Sequence, residues 1–194
     1  MGKGRLEAFS DGVLAIIITI MVLEMKVPHG DGWDVLLPLM PTFLSYVLSF
    51  TYVGIYWNNH HHMLHLTRGV TGSVLWANLH LLFWLSLLPF ATGWMGENHF
   101  TAAPSALYGA ILLMAAAAYW ILQRTIIGCQ PGDSPLARAI GNDWKGKLSP
   151  FIYLLGVASA FWRPWLSGVF YILGALIWLV PDRRIERAVM DGHS

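Results

Sequence analysis

The chain has 194 residues, 56% of them hydrophobic and only 12% charged, with a net charge of +1. So much apolar surface, reflected in a mean hydropathy of +0.53, excludes an ordinary soluble domain and points to lipid as the solvent. The near-neutral balance offers nothing to nucleic acid, and the single cysteine, Cys129, excludes an intrachain disulfide.

Six apolar runs follow in order. The first covers about 6–26; Glu24, Lys26 and Pro28 come next instead of a small-residue cleavage site, so it reads as a mature helix. The second, about 39–60, is opened by Pro38 and Pro41. The third, about 71–94, contains Pro89, which should kink it. The fourth, about 104–127, is opened by Pro104. The fifth and sixth, about 148–162 and 165–181, are opened by Pro150 and ended by Pro181, with Arg163-Pro164 as a tight hairpin between them. Each is near the roughly 20 residues that cross a bilayer, the last two being short. The stretch from Gln123 to Lys147 is the sizeable polar insert and reads as irregular, and the tail after Pro181 as a short amphipathic helix. The prediction is one all-α domain over residues 1–194, an integral membrane protein with six transmembrane helices. With the N-terminus in the cytoplasm, only Lys26 and Arg163 of the 12 basic residues fall outside, which predicts both termini cytoplasmic.

Some polar residues sit where lipid would penalise them. Asp11 lies about two turns into the first helix. The second helix leaves the cytoplasmic side through Trp57, Asn58, Asn59, His60, His61 and His62, and the third re-enters with Trp76, Asn78 and His80. All lie at similar depth and can form one buried network, with Asp11 accepting from a His and from Trp or Asn donors. Arg5, six residues from Asp11, falls on another face and reaches a different helix or the headgroups. Interhelical bonding is one reading of the network. Metal ligation is another, since His61 and His65 share a helical face. No HExxH, no Ser/His/Asp set and no Gly-rich phosphate loop accompanies them, so neither catalysis nor a cofactor is expected. Beyond Asp11 the first helix is apolar all round, and Val13, Ile16, Ile20 and Leu23 line one side with Thr19 beside them.

Arg5-x-x-x-Phe9-Ser10-Asp11 followed by Ile16-Ile17-Ile18-Thr19 resembles the signature of the endolysosomal potassium channel family and its prokaryotic homologues. The likeness extends through His60-His61-His62 and from Trp76-x-Asn78 to Pro89-Phe90. Like that family, the chain has no Thr-Val-Gly-Tyr-Gly filter. The resemblance implies a homotetramer in a prokaryotic plasma membrane, with the bilayer and potassium ions as its other partners. It also implies that the first helix of each subunit lines the pore. The constriction then falls on Ile16, Thr19, Ile20 and Leu23. Arg5, Phe9, Ser10 and Asp11 form a brace with His60, His61, Trp76 and Asn78, His61 being the nominal contact. Two alternatives stand beside a potassium channel: a proton-coupled secondary transporter and a membrane metalloenzyme built on the His cluster.

Overall fold

Proline sets most of the helix boundaries. The computed structural model describes residues 2–67, 69–130 and 144–179. Helix α1 (Lys3–Leu23) starts after Gly2 and ends at Glu24, short of Pro28. A 3-10 stretch (Trp33–Leu39) carrying Pro38 runs straight into α2 (Met40–His65), which has Pro41 in its first turn, where a missing N–H costs little. Thr71 caps α3 (Gly72–Ser86), its hydroxyl accepting from the Val74 N–H. Pro89 then does more than bend the rod. It divides it, and α4 (Leu88–Glu97) begins after a turn at Leu87. His99 and Phe100, both at positive φ, turn the chain into α5 (Ala102–Gly128). The last two helices are α6 (Trp144–Ala160) and α7 (Pro164–Leu179), joined by the hairpin at Arg163-Pro164.

The six apolar rods therefore stand as predicted, with α3 and α4 together making the third, and the described residues contain no strand. Four rods have the length and hydropathy of a membrane span; α7 is apolar but shorter. The insert from Gln123 to Lys147 differs from its reading. Helix α5 continues to Gly128 and α6 begins at Trp144, which leaves Pro150 inside a helix instead of at its start. Residues 131–143 and the predicted amphipathic tail lie outside the described residues.

Side-chain bonds fix the relative direction of the rods. The start of α1 meets the end of α2 and the start of α3 through Ser10, His60 and Asn78. The end of α1 meets the start of α2 and α4 through Met21, Ser45 and Thr92. Successive rods are antiparallel. Helix α5 is central, packing on α3, α4, α6 and α7, whereas α1 packs chiefly on α2, α3 and α4. Exposed tryptophans mark both ends, with Trp33, Trp162 and Trp165 at one and Trp57, Trp76 and Trp144 at the other, as interfacial indoles do.

Lipid tails are as apolar as leucine, so close packing and hydrogen bonds must hold such rods together. On the side of α5 to α7 the device is a tyrosine in a glycine notch. The fully buried Tyr171 ring lies against Gly109 and Gly156, and a Cβ at either position would collide with it. Its hydroxyl donates to the Ser105 carbonyl at 2.9 Å, while the Tyr52 hydroxyl donates to the Tyr171 carbonyl at 2.6 Å.

Candidate functional site

Helix α1 has two faces of different character. Leu6, Ser10, Leu14, Ile17 and Met21 recur at spacings of three and four and are buried against α2, α3 and α4. The opposite side is open. Ile16 is 58% exposed, Ile20 42% and Leu23 74%; Arg5, Phe9, Gly12 and Thr19 share that side. Of the apolar line read from the sequence, Val13 alone turns partly into the core. The Thr19 hydroxyl donates back to the Ala15 carbonyl at 2.9 Å, so its proton is committed to its own helix and its lone pairs stay open.

A chain of hydrogen bonds secures the closed face. The Asn78 amide nitrogen donates to Ser10 Oγ at 3.0 Å, and Ser10 Oγ donates to the Leu6 carbonyl at 2.9 Å. The Asn78 oxygen meets His60 Nε2 at 2.6 Å. All three side chains are buried, so one network ties α1, α2 and α3 together. Asp11 lies beside this network, not in it. It is exposed and accepts one bond, at 3.0 Å, from Trp57 Nε1 of α2.

The other predicted network residues stand apart. His61 is exposed and stacks between Trp57 and His65. Trp76 is exposed, as are Arg5 and Phe9. Trp57 takes the part of the Trp donor expected for Asp11. His60, not the nominal His61, carries the buried bond. The helical phase of α2 contained that signal, because Ser45, Ser49, Tyr52, Tyr56 and His60 fall on one buried face and His61 does not. Among the described residues, no group of three or more His, Cys, Asp or Glu side chains is placed to hold a metal.

The far end of α1 is braced by a separate polar seam. Ser49 Oγ lies 2.6 Å from the Thr92 hydroxyl and donates to the Tyr108 hydroxyl at 3.0 Å, while Thr92 reaches Met21 Sδ at 3.9 Å. Just past the helix, Lys26 Nζ bonds Glu97 at 2.8 Å, and this carboxylate holds the exposed ammonium above the usual lysine range. Both ends of the helix are thus held on one side and left open on the other.

Comparison with known proteins finds similarity to potassium channels. The family model described as endosomal/lysosomal potassium channel TMEM175 matches residues 5–89, from Arg5 to the proline that divides the third rod. A potassium channel of Chryseobacterium sp. (strain P1-3) is 57% identical over 191 residues, covering 98% of this chain and 100% of that one. A potassium channel of Streptomyces collinus is 36% identical over 150 residues, 71% of this chain and 73% of that one. The crystal structure of a lysosomal potassium-selective channel TMEM175 homolog from Chamaesiphon minutus is similar with a TM-score of 0.77 and 26% identity, covering 93% of this chain and 97% of that chain.

Proposed function

This chain belongs to the TMEM175 family, and from that premise we propose how it works as a multi-pass membrane potassium channel: four copies set α1 around one axis, and Ile16, Ile20 and Leu23 narrow it to an apolar constriction. The observation that carries this reading is the split of α1 into a bonded back and an open aliphatic front. The channel reading replaces both the carrier and the metalloenzyme. A channel is not an enzyme, and the permeant ion is the one ligand it requires.

A ring of aliphatic side chains offers an ion no ligands, so passage strips part of its water. Potassium releases water more readily than sodium, which makes the barrier lower for potassium. The four Thr19 oxygens, with lone pairs free, return some coordination beside the ring. Selectivity by this route is weaker than in a carbonyl filter. Closed rotational symmetry is the usual arrangement for such an assembly. The exposed Phe43, Val47 and Phe50 of α2 offer a neighbouring subunit an apolar face. The distribution of basic residues supports cytoplasmic termini, and the bacterial relatives support a prokaryotic plasma membrane.

The test is ion flux through protein reconstituted in liposomes. Ile16→Asn should lower the potassium-to-sodium permeability ratio severalfold while flux persists. An unchanged ratio in Ile16→Asn and Ile16→Ala would remove Ile16 as the selecting ring.

A further inference from the structure

A ring of aliphatic side chains sorts ions by how tightly they hold water, not by sign. Chloride holds its water about as loosely as potassium, so Ile16, Ile20 and Leu23 alone would pass both. Another part of the chain must reject the anion, and the far end of α1, outer in the orientation proposed above, has the means. The loops of that face lie within the described residues. The residue after Leu23 is the C-cap Glu24, whose N–H closes the last turn on the Ile20 carbonyl at 3.0 Å. Its side chain is exposed and lies on the α4 flank, a carboxylate oxygen 3.7 Å from where a Cβ on Gly93 would stand. Among the described residues, no cation comes within ion-pair distance of it. The neighbouring Lys26 is held elsewhere, its ammonium bonded to Glu97 at 2.8 Å. Arg163, the other Lys or Arg of this face, stands in the hairpin of α6 and α7, helices that pack on α5. The helix itself adds to the field, since a helix C-terminus carries about half a negative charge.

We propose that Glu24 sets the charge selectivity of this channel: four carboxylates at the rim of one mouth, over four helix C-termini, draw potassium in and hold chloride out before either reaches the constriction. Glu97 is part of the device, because it keeps the Lys26 ammonium off Glu24. Without it the lysine, two residues away, would neutralise the rim. Glu24 is about 80° round the helix from Ile16, so its carboxylate acts through its field and not as a ligand on the axis. Acidic rings are a general device of cation channels. A field of this kind is screened by salt, and it is separate from the choice between potassium and sodium that water stripping makes. The proposal rests on the channel reading above and adds to it the selection of sign.

The experiment records the full-length protein in planar bilayers of neutral lipid. A potassium chloride gradient gives the potassium-to-chloride ratio, and opposed potassium and sodium give the cation ratio. The wild type should favour potassium over chloride. Glu24→Gln should lower that preference at least about threefold in about 0.15 M salt, and the loss should fade at about 1 M, where the screening length falls to about 3 Å. Its potassium-to-sodium ratio should hold, and Glu24→Asp should retain the preference for potassium over chloride. Glu97→Gln should mimic Glu24→Gln by freeing Lys26. Glu97→Gln combined with Lys26→Gln should restore the preference, which a merely structural role of the ion pair would not do. If Glu24→Gln does not fold, these last two variants decide the matter. An unchanged potassium-to-chloride ratio in Glu24→Gln, a loss indifferent to salt, or equal passage of potassium and chloride in the wild type overturns the proposal and leaves the potassium-to-sodium reading intact. Absence of potassium current in the wild type overturns the channel reading and this proposal with it.

Discussion

The region from α1 to α4 and the region from α5 to α7 solve one problem by different means. In the first, side chains bond to side chains across three helices, through His60, Asn78 and Ser10, and α1 is held by directional contacts. In the second, a tyrosine ring fills notches left by Gly109 and Gly156, and its polar ends bond to backbone. A hydrogen bond fixes rotation about a helix axis, whereas a ring in a notch fixes distance between axes. The first kind is needed where a helix must present one chosen face to an axis. The second suffices where a rod only has to stay in place.

Substitutions can break this contrast or sharpen it. Gly156→Leu should have the largest effect, because the Tyr171 ring it meets is fully buried and has nowhere to go. A loss of about 3 kcal/mol or more is expected, seen as failure to recover a monodisperse protein by size exclusion. Normal recovery would mean that the notch does not hold the α5–α7 side. Next comes Asn78→Leu, which strands His60 and Ser10 together at a cost of about 2 kcal/mol. Unlike Gly156→Leu, it should also alter the potassium-to-sodium ratio, since α1 loses its rotational hold. Tyr171→Phe keeps the ring and deletes only the bond to Ser105, so a loss of about 1 kcal/mol in thermal stability with unchanged selectivity is expected.

The smallest effect belongs to Lys26→Gln, at an exposed ion pair. Glu97 raises the lysine pKa above 10.5, so whatever the pair contributes is present below that pH and is lost as pH climbs through the raised value. Any small gap between wild type and variant should therefore stay constant from pH 6 to 9 and close only in stronger alkali.

How much of this was legible in the sequence follows the same contrast. The six rods could be read because apolar length and proline position suffice to mark them. The hydrogen-bonded region could be found because Asp11, His60 and Asn78 are conspicuous in an apolar stretch. Its wiring was harder to read, since His60, His61 and His62 are adjacent and only their helical phase separates them. Trp57 was one of several indole, amide and imidazole donors open to Asp11, and only the packing of α1 on α2 singles it out. The notch region gave no signal at all. Tyrosine and glycine are unremarkable in membrane helices, and that Tyr171 meets both Gly109 and Gly156 depends on the packing of α5, α6 and α7 together. The ends of the polar insert were misread as irregular because Gly128 and Pro150, usual helix breakers, sit at the end of one helix and inside another.

The bond from Ser10 to the Leu6 carbonyl has a consequence for protons. Its hydroxyl hydrogen is spent on that carbonyl, so toward Asn78 it can only accept. Asn78 must therefore turn its nitrogen to Ser10 and its oxygen to His60, and the imidazole must carry a hydrogen on Nε2. The relay has a single polarity, from α2 through α3 into the backbone of α1. A turn of one residue is 100° about a helix axis, and it would bring Phe9, which cannot accept, or Asp11, which would bury its charge, to the end of that relay. In the proposed tetramer, four such relays would set the angular register of the Ile16 side chains.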